Sequence, residues 1–386
     1  MSSAQIEIQL IASLVAIACA IPGTFLVLRK MAMISDAISH SILPGIVIGF
    51  FITQDLNSPL LILLAALTGV ITVVLVEYIQ KTGLVKEDTA IGLVFPVLFS
   101  IGVLMIAKKA NDVHLDIDAV LLGELALAPF DRLLISGVDV GPKSLWIIGS
   151  ILCITVLLLL AFFKELKLST FDKGLAASLG FSPAIIHYGL MTVSSITTVG
   201  AFDAVGAILV VALMIAPAAS AYLLTTDLKK MLILSIIFGV LSAISGYWFA
   251  HWLDASIAGS ITTMLGVLFL IVYLFAPSKG IIAVLYREKQ QRIEVSLLTF
   301  LLHLKNHDDE NERHVNHLNE HINWQKVRSK IVLDLALKNN MIMIDDSIVF
   351  LTPKGDKFTT QAIDYIITNE DAQIEGMKDD FFLFRG

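Results

Sequence analysis

Residues 33–49 read MISDAISHSILPGIVIG and place a carboxylate and an imidazole near the start of a long apolar stretch. An ionisable group inside a membrane span costs roughly 3 kcal/mol even on lenient insertion scales, so such groups indicate a functional site. Asp36 and His40 are four residues apart. On a helix this spacing puts both on one face, with Cβ atoms about 5–6 Å apart. The stretch therefore predicts two ligands for one cation within a span.

Pro44-Gly45 follows the pair. Proline is expected to kink or break the helix, and the freed carbonyls can be satisfied only inside protein or a water-lined cavity. In the plainer alternative, Asp36 bonds to backbone or serine near the interface and His40 is a buried core residue. The combination of the pair with the break favours a site.

The composition excludes an ordinary soluble protein. Hydrophobic residues make up 56% of the chain, charged residues 16%, and the mean hydropathy is +0.81, whereas soluble proteins are about a quarter charged. The net charge of -7 gives no reason to expect a nucleic-acid-binding protein as a whole. Cys19 and Cys153 lie in apolar runs, so neither a disulfide framework nor a thiolate metal cage is predicted.

Nine segments approach the roughly 20 apolar residues that a helical span needs. They are residues 10–28, 33–53, 59–80, 90–107, 144–163, 184–200, 206–225, 230–250 and 257–276. Eight spans are the alternative if 184–225 folds differently. The prediction is an all-α polytopic protein of the cell membrane, embedded in the lipid bilayer.

Lys and Arg residues concentrate in alternate loops, which predicts an external N-terminus and a cytoplasmic C-terminus. The long loop 108–143 is an exception to this alternation, because it contains four basic residues. A rise of 1.5 Å per residue from Lys30 puts Asp36 about 9 Å and His40 about 15 Å deeper. The pair is therefore predicted at or just inside the midplane of a hydrocarbon core roughly 30 Å thick.

Two further stretches carry a signal. In the cytoplasmic loop 164–183, helix-forming residues between Asp172 and a terminal Gly180 predict a short helix over 172–179. This helix is either a lever for a soluble partner or an interfacial helix without one. In 192–221, which is rich in small and hydroxylated residues, Asp203 is predicted at the outer mouth, either as a solvated loop carboxylate or as a group that receives a cation.

The chain resembles the permease subunits of bacterial ABC transporters for manganese, zinc and iron. The matching stretches, spread over 35–224, are SDAISHSILPGI, LLGEL, FDKGLAASLGFSP and AFDAVGAILVVALMIAPAASAYLL. The resemblance implies a permease homodimer that docks a cytoplasmic ATPase and an external metal-binding protein. It also implies that Asp36 and His40 coordinate the passing ion and that 171–183 is the coupling helix. The coupling residues would be Phe171, Asp172, Gly174, Ala177 and Gly180. The sequence FDAVG in the last of these stretches is closer to that of the manganese transporters than to that of the zinc transporters.

The residue chemistry agrees with a transported metal and no permanently bound cofactor. A carboxylate and an imidazole suit Mn(II), Fe(II) or Zn(II) and argue against Cu(I). Two ligands are too few for a tight site, but a dimer would supply four. The chain has no GxxxxGK[ST] motif, so ATP hydrolysis is expected on a separate subunit and the chain is not an enzyme. An ion-coupled secondary carrier is disfavoured because nothing else in the spans looks like an ion relay.

Beyond the membrane region 1–286, residues 287–386 carry 13 Lys and Arg against 17 Asp and Glu, a steep rise in charge density. This predicts a separate cytoplasmic α+β domain. Its elements are predicted as helices at 293–304, 314–321 and 324–339, strands at 341–345 and 347–351, and a closing helix at 352–366. The order resembles the winged helix of iron- and manganese-dependent, diphtheria-toxin-repressor-like repressors.

The partner of this domain is left open between DNA, protein and metal. Lys326, Arg328 and Lys330 are the candidate DNA contacts, although the excess of acidic residues is poor for phosphate binding. His314, His317 and His321 are a candidate regulatory metal site, and a solvated polar loop is the plainer account. Two functions are therefore carried forward: a membrane permease of an ATP-driven metal importer, with the domain as regulator, and a membrane-tethered metal sensor that acts on DNA.

Overall fold

The computed structural model describes residues 3–54, 58–109, 125–135, 138–306, 313–314 and 326–368. Contacts within the chain divide it into two units, Met1–Pro277 and Ser278–Gly386. The first long helix of the second unit, Ile281–Asn306, runs through residue 286, where the composition predicts the domain boundary.

The described part of the first unit is helical apart from one small hairpin. Its helices are α1 (Ser3–Leu28), α2 (Ala32–Ser41), α3 (Leu43–Thr53), α4 (Pro59–Lys81), α5 (Glu87–Lys109), α6 (Lys143–Ala161), α7 (Phe163–Phe171), α8 (Lys173–Ser178), α9 (Pro183–Val205), α10 (Ala207–Leu224), α11 (Leu228–Leu253) and α12 (Ile257–Phe275). Among the described residues, nine helical segments are long and apolar enough to cross a membrane, with α2 and α3 counted as one. They coincide with the nine predicted spans, which favours nine over eight.

Helix α1 lies inside the bundle and packs against α6, α10 and α11. Small residues permit these contacts. A Cβ atom on Gly23 would lie 2.0 Å from the carbonyl oxygen of Met214, and one on Gly239 would lie 3.3 Å from the Cβ of Ala16. Spans in a bilayer associate largely by such close packing, because lipid is as apolar as the helices themselves.

The second span is broken, as predicted, but the break precedes the proline. Helix α2 ends at Ser41, α3 begins at Leu43, and Ile42 lies between them. Pro44 is in the first turn of α3. A proline is tolerated there because the first N–H groups of a helix have no intrahelical partner.

The loop after the fifth span contains two helices where the sequence predicts one. The predicted helix at 172–179 is confirmed as α8, with the carboxylate of Asp172 accepting a hydrogen bond from the backbone N–H of Leu175 at 2.9 Å. Gly180 ends the segment at a φ of +87°, a conformation that favours glycine. Helix α7, which precedes α8, was not predicted because its charged residues Lys164, Glu165 and Lys167 are typical of a loop that follows an apolar span.

The predicted spans 184–200 and 206–225 leave residues 201–205 as a loop between them, and this prediction is wrong. Helix α9 continues to Val205, and Gly206 alone joins it to α10 at a φ of +78°. Glycine reverses the chain in one residue because it carries no Cβ atom to restrict positive φ. Asp203 is therefore part of a helix and not of a loop.

Part of the long loop 108–143 forms a small antiparallel hairpin of β1 (Arg132–Ile135) and β2 (Val138–Pro142). Arg132 pairs with Asp139 on the other strand, and its Nη1 lies 3.3 Å from a carboxylate oxygen of Glu7 on α1. The hairpin therefore lies at the N-terminal end of α1, which is the predicted outer side. The LLGEL stretch at 121–125 lies outside the described residues except for its last residue.

The second unit contains α13 (Ile281–Asn306), α14 (Lys326–Lys338), β3 (Ile342–Asp345), β4 (Ile348–Leu351) and α15 (Pro353–Thr368). Its core joins Phe300 and Leu301 of α13 to Val332 of α14, Val349 of β4 and Phe358 of α15. One hydrophobic core therefore holds all of these elements together.

The predicted hairpin in this unit is confirmed. Strands β3 and β4 pair antiparallel from Ile342 opposite Leu351 to Asp345 opposite Ile348. Asp346 and Ser347 form the two-residue turn, both at positive φ, as a type I′ hairpin turn requires. The predicted helix at 314–321 lies outside the described residues apart from His314, whose backbone bridges to Ile348.

Candidate functional site

Asp36 and His40 lie together on α2. Their side chains approach to 3.5 Å between Oδ1 and Nε2, so the predicted shared helix face is confirmed. Within the single chain the two side chains are 38% and 40% exposed. Each retains open coordination positions, and both can reach one bound ion.

The pair lies at mid-span. Ser35, next to Asp36, donates a hydrogen bond to the sulfur of Met214 at 2.9 Å, and Thr198 of α9 approaches the same sulfur at 3.7 Å. At 1.5 Å per residue, Met214 is about 10 Å from one end of α10 and about 15 Å from the other. This level agrees with the depth predicted from Lys30.

The two faces of α2 differ. Ser35 and Ser39 are buried on the face that meets α10. On the other face, the ring of Phe95 from α5 lies 5.8 Å from the ring of His40, centroid to centroid. The ionisable face is thus bordered by an aromatic ring but not covered. Because partly exposed ionisable groups are unfavourable against lipid, this face requires water, an ion or another protein surface.

The side chains of the pair are of the types that bind divalent transition metals. One carboxylate oxygen and one imidazole nitrogen suit Mn(II), Fe(II) or Zn(II). Among the described residues, no group of three or more His, Cys, Asp or Glu side chains could hold a metal ion. A metal ion held by the pair would need further ligands from water or a second chain.

Asp203 lies in the last turn of α9, next to the turn at Gly206. Along residues 197–210 only Asp203 and Ile208 are exposed. Asp203 is thus an exposed carboxylate near the tip of an otherwise buried helical hairpin. Its predicted role is neither supported nor contradicted by a direct contact with the pair.

The segment around α8 presents an apolar surface. Phe171, Leu175 and Leu179 are 59%, 47% and 59% exposed. The predicted coupling residues Asp172, Gly174 and Ala177 are also exposed. An exposed apolar surface of this kind at the end of a bundle is typical of a docking site for another protein.

The sequence pattern indicated no ion relay in the spans besides Asp36 and His40. The structure nevertheless brings two further ionisable residues together there. His187 of α9 and Glu77 of α4 approach to 2.5 Å between Nε2 and Oε1. Tyr188 donates a hydrogen bond to the second carboxylate oxygen of Glu77 at 2.8 Å. The signal was present in the sequence, because Glu77 is the single acidic residue of the apolar run 59–80.

The candidate sites of the second unit fall largely outside the described residues. His317 and His321 lie outside them altogether, and His314 takes part through its backbone in the bridge to Ile348. Lys326, Arg328 and Lys330 occur in the first turns of α14. Of their side chains, only that of Lys330 is described, and it is exposed.

Comparison with known proteins identifies the family. The ABC 3 transport family matches residues 5–276, nearly the whole first unit. The zinc transport system membrane protein TroD of Treponema pallidum is 46% identical over 362 residues, covering 93% of this chain and 98% of the relative. The manganese transport system membrane protein MntD of Bacillus subtilis is also 46% identical, over 269 residues covering 70% of this chain and 91% of the relative.

A solved structure agrees with these matches. PsaBC from Streptococcus pneumoniae, determined in complex with Fab, superposes with a TM-score of 0.61 at 28% identity, covering 72% of this chain and 94% of the matched chain. The match to TroD extends into the second unit, because it covers more of the chain than the first unit contains. The chain therefore belongs to the ABC 3 transport family.

Proposed function

We propose that the chain is the membrane-spanning permease subunit of an ATP-driven importer of a divalent transition-metal ion. It is a transporter subunit and not an enzyme, and a separate chain hydrolyses ATP. The observation that carries the proposal is the Asp36–His40 pair, 3.5 Å apart and half-exposed within a span. The names of the family relatives, which are transport system membrane proteins for zinc or manganese, support it.

The transport site is completed by a second copy of the chain. Each copy contributes Asp36 and His40, and a two-fold arrangement supplies four ligands, enough to replace much of the hydration shell of an ion. The incomplete ligand set and the uncovered face of α2 support this homodimer. Because transport requires release, a site assembled from two moving subunits suits the task better than a rigid cage.

The soluble partners bind at opposite ends. The ATPase docks on 171–183, where the exposed apolar side chains of α8 and its flanks lie. An extracytoplasmic metal-binding protein delivers the ion to the other end, and Asp203 then receives it above the pair. In this arrangement the chain is a multi-pass protein of the cell membrane with its second unit in the cytoplasm.

Manganese is the proposed ion, with zinc and iron as competitors. The two relatives at 46% identity carry different metals in their names, so the preference depends on the FDAVG wording around Asp203. Competition between metals tests this preference. Uptake of radioactive manganese is measured in the presence of a roughly tenfold excess of unlabelled manganese, zinc or iron. Stronger inhibition by zinc than by unlabelled manganese would reverse the assignment.

The second unit is proposed as a winged-helix regulatory domain. The order of α13, α14, the β3–β4 hairpin and α15 supports this, as does the type I′ turn at the tip of the hairpin. The alternative, a membrane-tethered metal sensor that acts on DNA, would use Lys326, Arg328 and Lys330. Fluorescence anisotropy of labelled duplex DNA with the full chain in nanodiscs, against a chain ended after Pro277, tests it. Salt-insensitive or absent binding eliminates the DNA role.

The decisive experiment for the transport function is metal uptake by cells that express the chain with its ATPase. Asp36→Ala and His40→Ala should each abolish most of the uptake while the protein still reaches the membrane. A sensor would show no such loss of transport. Unchanged uptake in both variants would remove the proposed function.

A further inference from the structure

Arg29, just beyond the end of α1, connects three elements. Its Nε donates a hydrogen bond to Thr170 Oγ1 at 3.1 Å and its Nη2 donates to Ser169 Oγ at 3.4 Å. Its Nη1 lies 3.4 Å from Nδ1 of His187. A guanidinium can only donate, so Nδ1 accepts and the protonated Nε2 of the ring faces Glu77. The imidazole therefore bridges a guanidinium and a carboxylate.

The chemistry of this bridge does not favour a second metal station. The positive charge of Arg29 lies against the ring and would repel a cation. Both carboxylate oxygens of Glu77 are engaged, one by His187 and the other by Tyr188. Burial lowers the pKa of Arg29 from its usual value, which reflects the lack of water around the group. The network is thus a guanidinium and a carboxylate on either side of one imidazole, with the hydroxyl groups of Ser169, Thr170 and Tyr188 as their further partners.

The network holds both flanks of α8. Ser169 and Thr170 are at the end of α7, immediately before α8, and His187 is in the first turns of α9, shortly after it. Ser169 is 1% exposed, and the side chains of His187 and Glu77 are 12% and 17% exposed. Displacement of α8 must therefore either move Arg29 and Glu77 as well or separate charges in a poorly hydrated site, which is unfavourable.

From Glu77 the connection continues to the metal pair through α4. A Cβ atom on Gly69 would lie 2.1 Å from Ser195 Oγ of α9 and 3.0 Å from Cγ2 of Ile38 of α2. One turn further on α4, the hydroxyl of Thr72 donates a hydrogen bond to Ser41 at 2.6 Å. Ile38 lies between Asp36 and His40 in sequence, so α4 touches the segment that carries both ligands.

We propose that Arg29, His187 and Glu77 are positioning residues that transmit movement of α8, through α4, to the Asp36–His40 pair on α2. Close-packed interiors transmit displacement because they deform little, and the charge network gives the cytoplasmic end of this path a defined geometry. The inference rests on the proposed function in one respect, the docking of an ATPase on α8.

The test uses the full chain with its ATPase in proteoliposomes. For Glu77→Gln and His187→Ala we expect normal co-purification of the ATPase and retained ATP hydrolysis, with metal uptake per ATP reduced about tenfold. His187→Gln should restore much of the ratio, since an amide can accept from Arg29 and donate to Glu77. His251→Gln, a histidine substitution near the opposite end of the bundle, is the matched control and should change nothing. A proportional loss of uptake and hydrolysis, or no loss at all, overturns the proposal.

A second measurement is independent of metal transport. In a Cys153→Ser background, the thiol introduced by Met33→Cys at an exposed position of α2 is labelled with maleimide, with and without ATP. The labelling rate should respond to ATP in the parent and lose that response in Glu77→Gln. If ATP changes the labelling rate of the parent but the parent imports no metal, the proposed function fails while the connection between α8 and α2 stands. An unchanged response in Glu77→Gln eliminates the link.

Discussion

The Nε2 atom of His40 lies 3.5 Å from the Oδ1 atom of Asp36, one helical turn away on α2, and neither side chain is buried by the single chain. The neighbouring Ser35 and Ser39 are buried on the other face of the same helix. Helix α2 thus separates a packed hydroxyl face from an open ionisable face. The 3.5 Å distance is short enough for both side chains to contact one ion.

If Asp36 and His40 hold the same ion, their substitutions are not additive. Asp36→Asn and His40→Gln should each lower the apparent metal affinity in uptake by roughly 10–100-fold, a range typical of lost metal-site interactions. The double variant should be little worse than either single variant, because the first substitution already disables the shared site. Uptake kinetics over a range of metal concentrations measure this.

Ser39→Ala is the matched control for that cycle. Ser39 is on the same helix, and its hydroxyl donates to the carbonyl of Ser35 within α2, so uptake should stay near the parent value. Additive losses in the double variant would contradict a shared ion.

Gly69 is predicted to be intolerant of any side chain. A Cβ atom there would meet Ser195 Oγ at 2.1 Å, and overpacking of this kind typically costs about 1–3 kcal/mol. Gly69→Ala should lower the melting temperature in detergent, and adding Ser195→Ala should recover part of the loss by removing the contacting oxygen. Gly189→Ala on α9, where a Cβ atom would meet nothing within 4 Å, is the control. Equal melting temperatures for Gly69→Ala and Gly189→Ala would refute the crowding.

The Asp172 carboxylate caps α8 through the N–H of Leu175. Loss of an N-cap side chain typically costs about 1 kcal/mol of helix stability. Asp172→Ala should therefore weaken binding of the ATPase several-fold, whereas Asp172→Asn, which keeps an acceptor, should bind nearly normally. Asp227→Ala removes the cap of α11 and serves as the comparison. A titration of the ATPase against nanodisc-embedded chain gives the affinities, and equal weakening in Asp172→Asn would argue against capping.

The β1–β2 hairpin should be sensitive to acid. The N–H of Gly141 and the Arg132 guanidinium hold the pKa of Asp139 below its usual value. A carboxyl group whose pKa is lower in the folded state stabilises the fold at pH values above its unfolded-state pKa of about 4. This stabilisation is lost as the pH falls through the pKa of the folded state. Proteolysis within 132–142 should therefore accelerate below about pH 4. Asp139→Asn should remove this pH dependence. If proteolysis of that variant accelerates at low pH as it does in the parent, other groups cause the pH dependence.

Much of the membrane region was predictable from the sequence, because a span needs about 20 apolar residues and its backbone must bond internally. The nine spans, the short helix at α8 and the hairpin β3–β4 follow from apolar length and local turn chemistry. The break at Ile42 was displaced from Pro44 because a proline is accommodated in the first turn of the following helix. Helix α7 and the β1–β2 hairpin were missed, since neither has a periodic pattern distinct from its surroundings.

The sequence by itself determined a multi-span membrane protein with a carboxylate and an imidazole on one helix face, because i and i+4 spacing and apolar length are local properties. Only the tertiary structure decided that Asp203 belongs to a helix and that His187 lies between Arg29 and Glu77. Arg29 and His187 are 158 positions apart in the sequence, and Glu77 and its hydrogen-bond partner Tyr188 are 111 positions apart. Contacts between such distant positions depend on how the helices pack, and no local pattern in an apolar span specifies which face meets which neighbour.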